Sequence, residues 1–165
     1  MKKTLFALIA MMLLVSISLS AFAATGLGSH TEITTKAATA EANGTVQADT
    51  TMCAVTIDEN GKIVSVSFDV IQAKSAFDAA GAAAVDATQQ PQTKMELKEG
   101  YNMLKASPIG KEYYEQMYAF EAWCVGKTLE EVVTLSADDA DLKAGCTVHV
   151  DAHLIALEKA IANAK

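Results

Sequence analysis

A short segment near the C-terminus carries the residue types that could do chemistry. Residues 141–147 combine the carboxylate of Asp141, Gly145 and the hydroxyl of Thr147. Glycine tolerates positive φ and lets the backbone come close to a ligand, and exposed amides in such a turn can bind an anion. The sequence therefore predicts a tight turn that presents Thr147, followed by a short strand at residues 148–150 and a helix with Asp151 as its N-cap.

Other arrangements that could support catalysis or metal binding are weak. His149 and His153 are four residues apart, but the predicted helix begins between them, and no HExxH pattern is present. No serine nucleophile elbow occurs, and the adjacent acidic pairs at 130–131 and 138–139 are typical of a solvated surface. We therefore predict no catalytic residues and no metal site.

The first 23 residues have the organisation of a secretory signal peptide. Lys2 and Lys3 form a basic start, residues 5–15 form an apolar run, and residues 21–23 read Ala-Phe-Ala, a small-x-small cleavage site. The apolar run is too short to predict a permanent membrane span. We expect a secreted or extracytoplasmic protein with no stable membrane span after signal cleavage.

The remaining part of about 140 residues is long enough for one domain with a hydrophobic core. Removing Lys2 and Lys3 changes the formal net charge from −7 to −9, which disfavours binding to nucleic acid. Three cysteines, Cys53, Cys124 and Cys146, would permit one disulfide in a secreted chain, but their spacing does not select a pair.

The first half of the mature chain is predicted to form a small antiparallel sheet. Residues 24–42 are expected to be a flexible segment or an edge strand, and residues 45–57 alternate like a strand with a bulge near 49–52. Residues 58–61 have the composition of a hairpin turn, because asparagine and glycine tolerate positive φ. The returning strand covers residues 62–71, and residues 72–94 are expected to be a loop with a short strand.

The second half is predicted to be helical. A helical region starts near Met95, and a longer helix covers residues 111–125, with Thr128 and Glu131 forming a capping box for the next helix. A final helix covers residues 152–164. On the long helix one face is expected to lie in the core, and its members share helical spacing: Tyr113, Met117, Phe120 and Cys124. The predicted fold class is α+β, a small antiparallel sheet packed against two or three helices in a single domain.

The motif at residues 141–147 and the hairpin at residues 54–70 resemble the secreted FMN-binding domain family. That family includes the flavin-carrying C subunit of sodium-pumping NADH:quinone reductases and extracellular electron-transfer flavoproteins. Its pattern is Asp-x-x-Ser/Thr-Gly-Ala-Thr/Ser, which Asp141, Gly145 and Thr147 match. The chain departs from it at Ala144, in place of the hydroxyl residue, and at Cys146, in place of alanine.

The resemblance implies that residues 43–165 form an FMN-binding-like α+β domain. It implies FMN attached covalently through Thr147 by a flavin transferase, with Asp141 and Gly145 supporting the attachment loop. The protein would then exchange electrons with a membrane redox partner and would carry electrons rather than act on a substrate of its own. The alternative is a cofactor-free secreted binding or structural module on the same fold.

Overall fold

The computed structural model describes residues 23–83 and 90–165. The predicted signal peptide, residues 1–23, lies outside the described residues except for Ala23. Within the described ranges, no helix is both long enough and apolar enough to cross a lipid bilayer.

The sheet has three antiparallel strands in the order β1-β2-β3, with β1 at Ala24–Lys36, β2 at Gly44–Ile57 and β3 at Ile63–Phe77. The predicted hairpin joins β2 to β3. Asp58 closes it by accepting hydrogen bonds at Oδ1 from the backbone N–H groups of Asn60 (2.9 Å) and Lys62 (2.8 Å). Gly61 has φ of 73°, a conformation that L side chains rarely adopt.

Two details of the predicted strands are wrong. The bulge lies between Thr56 and Ile57 rather than near residues 49–52, where β2 pairs with both neighbouring strands without a register shift. β3 continues to Phe77 instead of ending near residue 71, so the first six residues of the predicted loop are strand. The polar residues of this extension gave no hydrophobic alternation, and its stability comes from pairing with the first half of β2.

Within residues 90–165, five α-helices follow the sheet: α1 at Lys94–Leu97, α2 at Tyr113–Cys124, α3 at Leu129–Leu135, α4 at Ala140–Gly145 and α5 at Asp151–Ala162. A 3-10 turn at Lys98–Tyr101 extends α1. The predicted capping box of α3 is present, since the Thr128 side chain accepts from the Glu131 N–H and the Glu131 side chain accepts from the Thr128 N–H. The predicted α+β class, in a single domain, is confirmed.

The helices cover one face of the sheet. That face contributes Cys53, Val55 and Phe68, which are at most 2 % exposed, whereas Leu27 on the opposite face is 69 % exposed. Phe68 stacks on Phe120 of α2, with ring centroids 5.2 Å apart. The predicted core face of α2 is confirmed, because all four of its members are buried.

Two glycines allow α5 to lie directly on β1. A Cβ atom at Gly26 would overlap the carbonyl oxygen of Ala160, and one at Gly28 would overlap that of Ala156. At the edge of β1, Lys159 Nζ donates to the Ser29 carbonyl (2.9 Å) and Asn163 Nδ2 to the Leu27 carbonyl (3.1 Å). The close approach therefore requires residues without a side chain on this part of β1.

Candidate functional site

The segment predicted to be a tight turn is mostly helical. α4 ends at Gly145, and the Asp139 side chain caps its start by accepting from the Leu142 N–H at 2.9 Å. Gly145 does not have positive φ, so the predicted role in a turn is wrong. A Cβ there would lie 2.9 Å from the Cβ of Ala119, and the glycine therefore serves close packing of α4 against α2.

Thr147 is an exposed residue just beyond α4, and one buried side chain holds it. Gln116 Oε1 accepts from the Thr147 N–H at 2.8 Å and from the Thr147 hydroxyl at 3.2 Å. A single amide oxygen thus fixes both the backbone and the side chain of this residue.

Gln116 is itself held firmly inside the protein. It is fully buried, and its Nε2 donates to Ser107 Oγ at 3.0 Å and to the Lys111 carbonyl at 3.1 Å. A buried amide whose carbonyl oxygen and NH₂ group both make hydrogen bonds is rigid, because any rotation would leave a polar group unpaired. The sequence reasoning missed Gln116. Its signal is a polar residue within the apolar face of α2, three positions after Tyr113 and next to Met117.

The other predicted site residues are not assembled around Thr147. Asp141 is exposed in the first turn of α4, and no hydrogen bond joins it to Thr147 among the described contacts. Cys146 is 4 % exposed and faces inward, with Sγ 4.0 Å from the Val148 carbonyl oxygen. Its side chain therefore does not stand beside the exposed hydroxyl.

The strand predicted at residues 148–150 is absent from this described segment, because Val148 and Val150 have no neighbouring strand and only pack against the core. Val150 is the N-cap of α5 and makes no side-chain cap, so Asp151 is the first helical residue and not the predicted cap.

The two histidines have separate environments. His149 is exposed, whereas His153 is 4 % exposed and its Nε2 lies 3.0 Å from the Tyr113 hydroxyl. Burial and, to a smaller extent, the nearby Lys94 ammonium together lower the pKa of His153 to about 4. Its Nδ1 is buried with no hydrogen-bond partner in the described part of the chain.

Within residues 23–83 and 90–165, no group of three His, Cys, Asp or Glu side chains lies close enough together to hold a metal ion.

All three cysteines are buried free thiols. Burial raises the pKa of Cys53 and of Cys124 to about 12 and also raises that of Cys146. Because the thiolate is the reactive form, these side chains behave as small apolar core residues at neutral pH.

A cleft of about 650 Å³ lies on the opposite, open face of the sheet. Leu27, Met52 and Ala54 give it an apolar wall, and Asp69 and Lys159 add charge. Thr147 does not line it, so this cleft and the exposed hydroxyl of Thr147 belong to different regions. The Thr147 hydroxyl is an oriented oxygen that could accept a transferred group, whereas the cleft alone specifies no ligand.

No protein-family model, curated protein or solved structure matches this chain.

Proposed function

We propose that the mature protein is an extracytoplasmic electron carrier with FMN attached through the hydroxyl of Thr147. The observation that supports this proposal best is the pair of hydrogen bonds from Thr147 to Gln116. The Thr147 O–H donates to the buried amide oxygen of Gln116 while the residue itself is exposed, so the lone pairs of its oxygen are not used in this hydrogen bond. An acceptor of a phosphoryl group needs that combination of exposure and fixed orientation.

The residues fit the group in part. Thr147 supplies an accessible oxygen, and the bulk of Cys146 is turned into the core, so it does not obstruct that oxygen. Asp141 is exposed and free to contact a transferase. Gly145 has a packing role in this chain and is not assigned to the phosphate. Bound FMN would supply the capacity to accept and release electrons, and the protein would tether it.

The attachment is a phosphoryl transfer whose donor is FAD. The Thr147 oxygen forms a bond to the phosphorus of the FMN half, the bond from that phosphorus to the AMP half breaks, and AMP leaves. The hydroxyl proton passes to a base of the transferase. Gln116 keeps its hydrogen bond from the Thr147 N–H after the transfer, because only the hydroxyl hydrogen is lost. The loop therefore stays anchored in the product.

The test is to treat the mature chain with a flavin transferase, FAD and Mg²⁺, and then record its intact mass and its visible absorbance after denaturation. We expect one added FMN, less one water, in the wild type and in Thr147→Ser. Thr147→Val should abolish the addition, because it removes the hydroxyl at similar volume. Thr134→Val, at an exposed position on α3, is the matched control and should remain modified.

An unmodified wild type, with the transferase active on a known substrate, would refute covalent attachment. So would full modification of Thr147→Val. Gln116→Ala should slow the transfer while leaving Thr147 chemically intact, since it removes the acceptor that orients the hydroxyl. An unchanged rate in that variant would show that Gln116 does not position the acceptor.

The cleft of about 650 Å³ favours a second candidate, a cofactor-free binding module. Its volume falls within the range of small-molecule sites, and its lining is mainly apolar. Under this alternative Thr147 stays unmodified, and small apolar ligands raise the melting temperature of the wild type. Met52→Lys, which places a charge in the cleft, should remove that increase.

A further inference from the structure

The two outer edges of the sheet differ in how their backbone groups are satisfied. On the β3 edge, Glu121 Oε1 accepts from the Phe68 N–H at 2.7 Å, and Ile71 pairs with Thr93. Ile63 also exchanges hydrogen bonds with the segment after α2, at Gly126 and Lys127. Helices and loops therefore cover much of this edge.

The β1 edge is covered over only half of its length. Thr25 exchanges two backbone hydrogen bonds with Lys165, and side chains of α5 and the residue after it cap the carbonyls of Leu27 and Ser29. Because backbone groups alternate sides along a strand, Thr31, Ile33 and Thr35 must direct their N–H and C=O groups to the same outer edge. No described residue bonds to these outward backbone groups.

The open half of β1, residues 31–36, has few of the features that usually prevent edge pairing. All six residues are exposed, Ile33 by 68 %, and the segment contains no proline and pairs with β2 without a bulge. Long, flat, unprotected edges are templates for another strand. The segment Thr-Glu-Ile-Thr-Thr-Lys is also rich in the β-branched residues that strands favour.

We propose that two copies of this chain pair antiparallel through the open half of β1, with Thr34 on the two-fold axis. This register places Ile33 opposite Thr35 of the second copy, and both residues carry outward backbone groups. It places Glu32 opposite Lys36 in both directions. Those pairs fall at the non-hydrogen-bonded positions, where facing side chains are closest.

Charge complementarity selects this register and this partner. Moving the axis by one residue to Ile33 would place Glu32 opposite Thr34 and Lys36 opposite His30, which forfeits both opposite-charge pairs. The side chain of Glu32 is 61 % exposed and has His30 Nε2 at 3.5 Å, so it is accessible to a lysine from a second copy. A two-fold pairing uses the same stretch of β1 in both copies, so this interface is closed and assembly through it stops at the dimer.

The interface is small, because few residues from each copy take part. Interfaces below about 1,200 Å² are typical of weak association. The dimer should therefore form in a concentration-dependent manner, which sedimentation velocity can follow from about 10 μM to about 1 mM mature protein.

Charge reversal tests both the edge and the register. Glu32→Lys alone places two lysines opposite each other twice, and Lys36→Glu alone does the same with two glutamates, so each should leave the protein monomeric over the whole concentration range. The double variant E32K/K36E restores both pairs with reversed signs and should restore the dimer. Circular dichroism verifies that the variants remain folded, as expected for exposed positions.

A wild type that is monomeric at every concentration would overturn the proposal, as would species larger than the dimer. Dimers that persist in Glu32→Lys, or that fail to return in the double variant, would exclude the Thr34-centred register. The test uses the unmodified chain, so its outcome is independent of whether Thr147 carries FMN.

Discussion

Protonation of His153 should control the acid stability of the fold. The pKa of its imidazole falls from the ordinary value of 6.5 to about 4, chiefly because burial in the core removes water and to a smaller extent because of Lys94. The folded protein therefore keeps His153 neutral over a pH range in which the unfolded chain binds a proton. The free energy of unfolding must then decrease as the pH falls through this range.

The magnitude follows from the size of the shift. Each pKa unit corresponds to about 1.4 kcal/mol, and a displacement from 6.5 to about 4 gives a loss of about 3 kcal/mol between these two pH values. Above pH 6.5 neither state binds this proton, and below about pH 4 both states do. The contribution of His153 to the free energy of unfolding should therefore change steeply with pH between about pH 4 and pH 6.5 and stay constant outside this range.

Urea unfolding, followed by circular dichroism at closely spaced pH values from 7.5 to 3.5, measures this contribution. His153→Gln keeps a group that can accept from the Tyr113 hydroxyl but cannot titrate in this range. The variant should be less stable than the wild type at pH 7 because it disturbs the core. The difference between the two proteins should shrink by about 3 kcal/mol toward pH 4.

Carboxyl groups also titrate over this interval, including Glu121, whose pKa burial raises. They are common to both proteins, and their effects cancel in the difference. His149→Gln removes an imidazole at an exposed position and is the matched control. Parallel stability curves for the wild type and His153→Gln would refute the assignment of a buried neutral imidazole.

Two further predictions concern stability, and urea unfolding at pH 7 measures both. Gly28→Ala should destabilise the protein by about 3 kcal/mol because its Cβ would overlap a backbone carbonyl of α5. Gly61 has open space around it, so Gly61→Ala should cost only about 1 kcal/mol, through its positive φ. Equal losses would contradict the close approach of α5. Thr128→Ala should cost about 1 kcal/mol by removing the α3 cap, and Thr128→Ser should recover most of it.

Features with local causes were predictable from the sequence. The turn at residues 58–61 and the capping box at Thr128 depend on side chains that bond to backbone only two to four residues away. The core face of α2 followed from helical spacing. In each case the residues that determine the structure are close together in the chain.

Features that depend on distant contacts were not predictable in detail. In the sequence alone, Gly26 and Gly28 weaken the pattern that predicts a strand. They are required because α5, far away in sequence, packs directly on the backbone of β1 at these positions. Gly145 suggested a turn because the neighbour that explains it, Ala119, lies on another helix. Gln116 was missed because helical periodicity identifies buried positions by their apolar character and gives no weight to a buried amide.

The contact between β1 and α5 also constrains how the chain folds. Ser29 and Lys159 are 130 residues apart, and Leu27 and Asn163 are 136 apart, so this docking closes a very long loop. Such nonlocal contacts slow folding because chain entropy is lost before the contacts form. During synthesis, the β2–β3 hairpin can form early, before α5 is available to cover its apolar face. Until that helix arrives, the nascent sheet is a surface that a chaperone would recognise and that would otherwise aggregate.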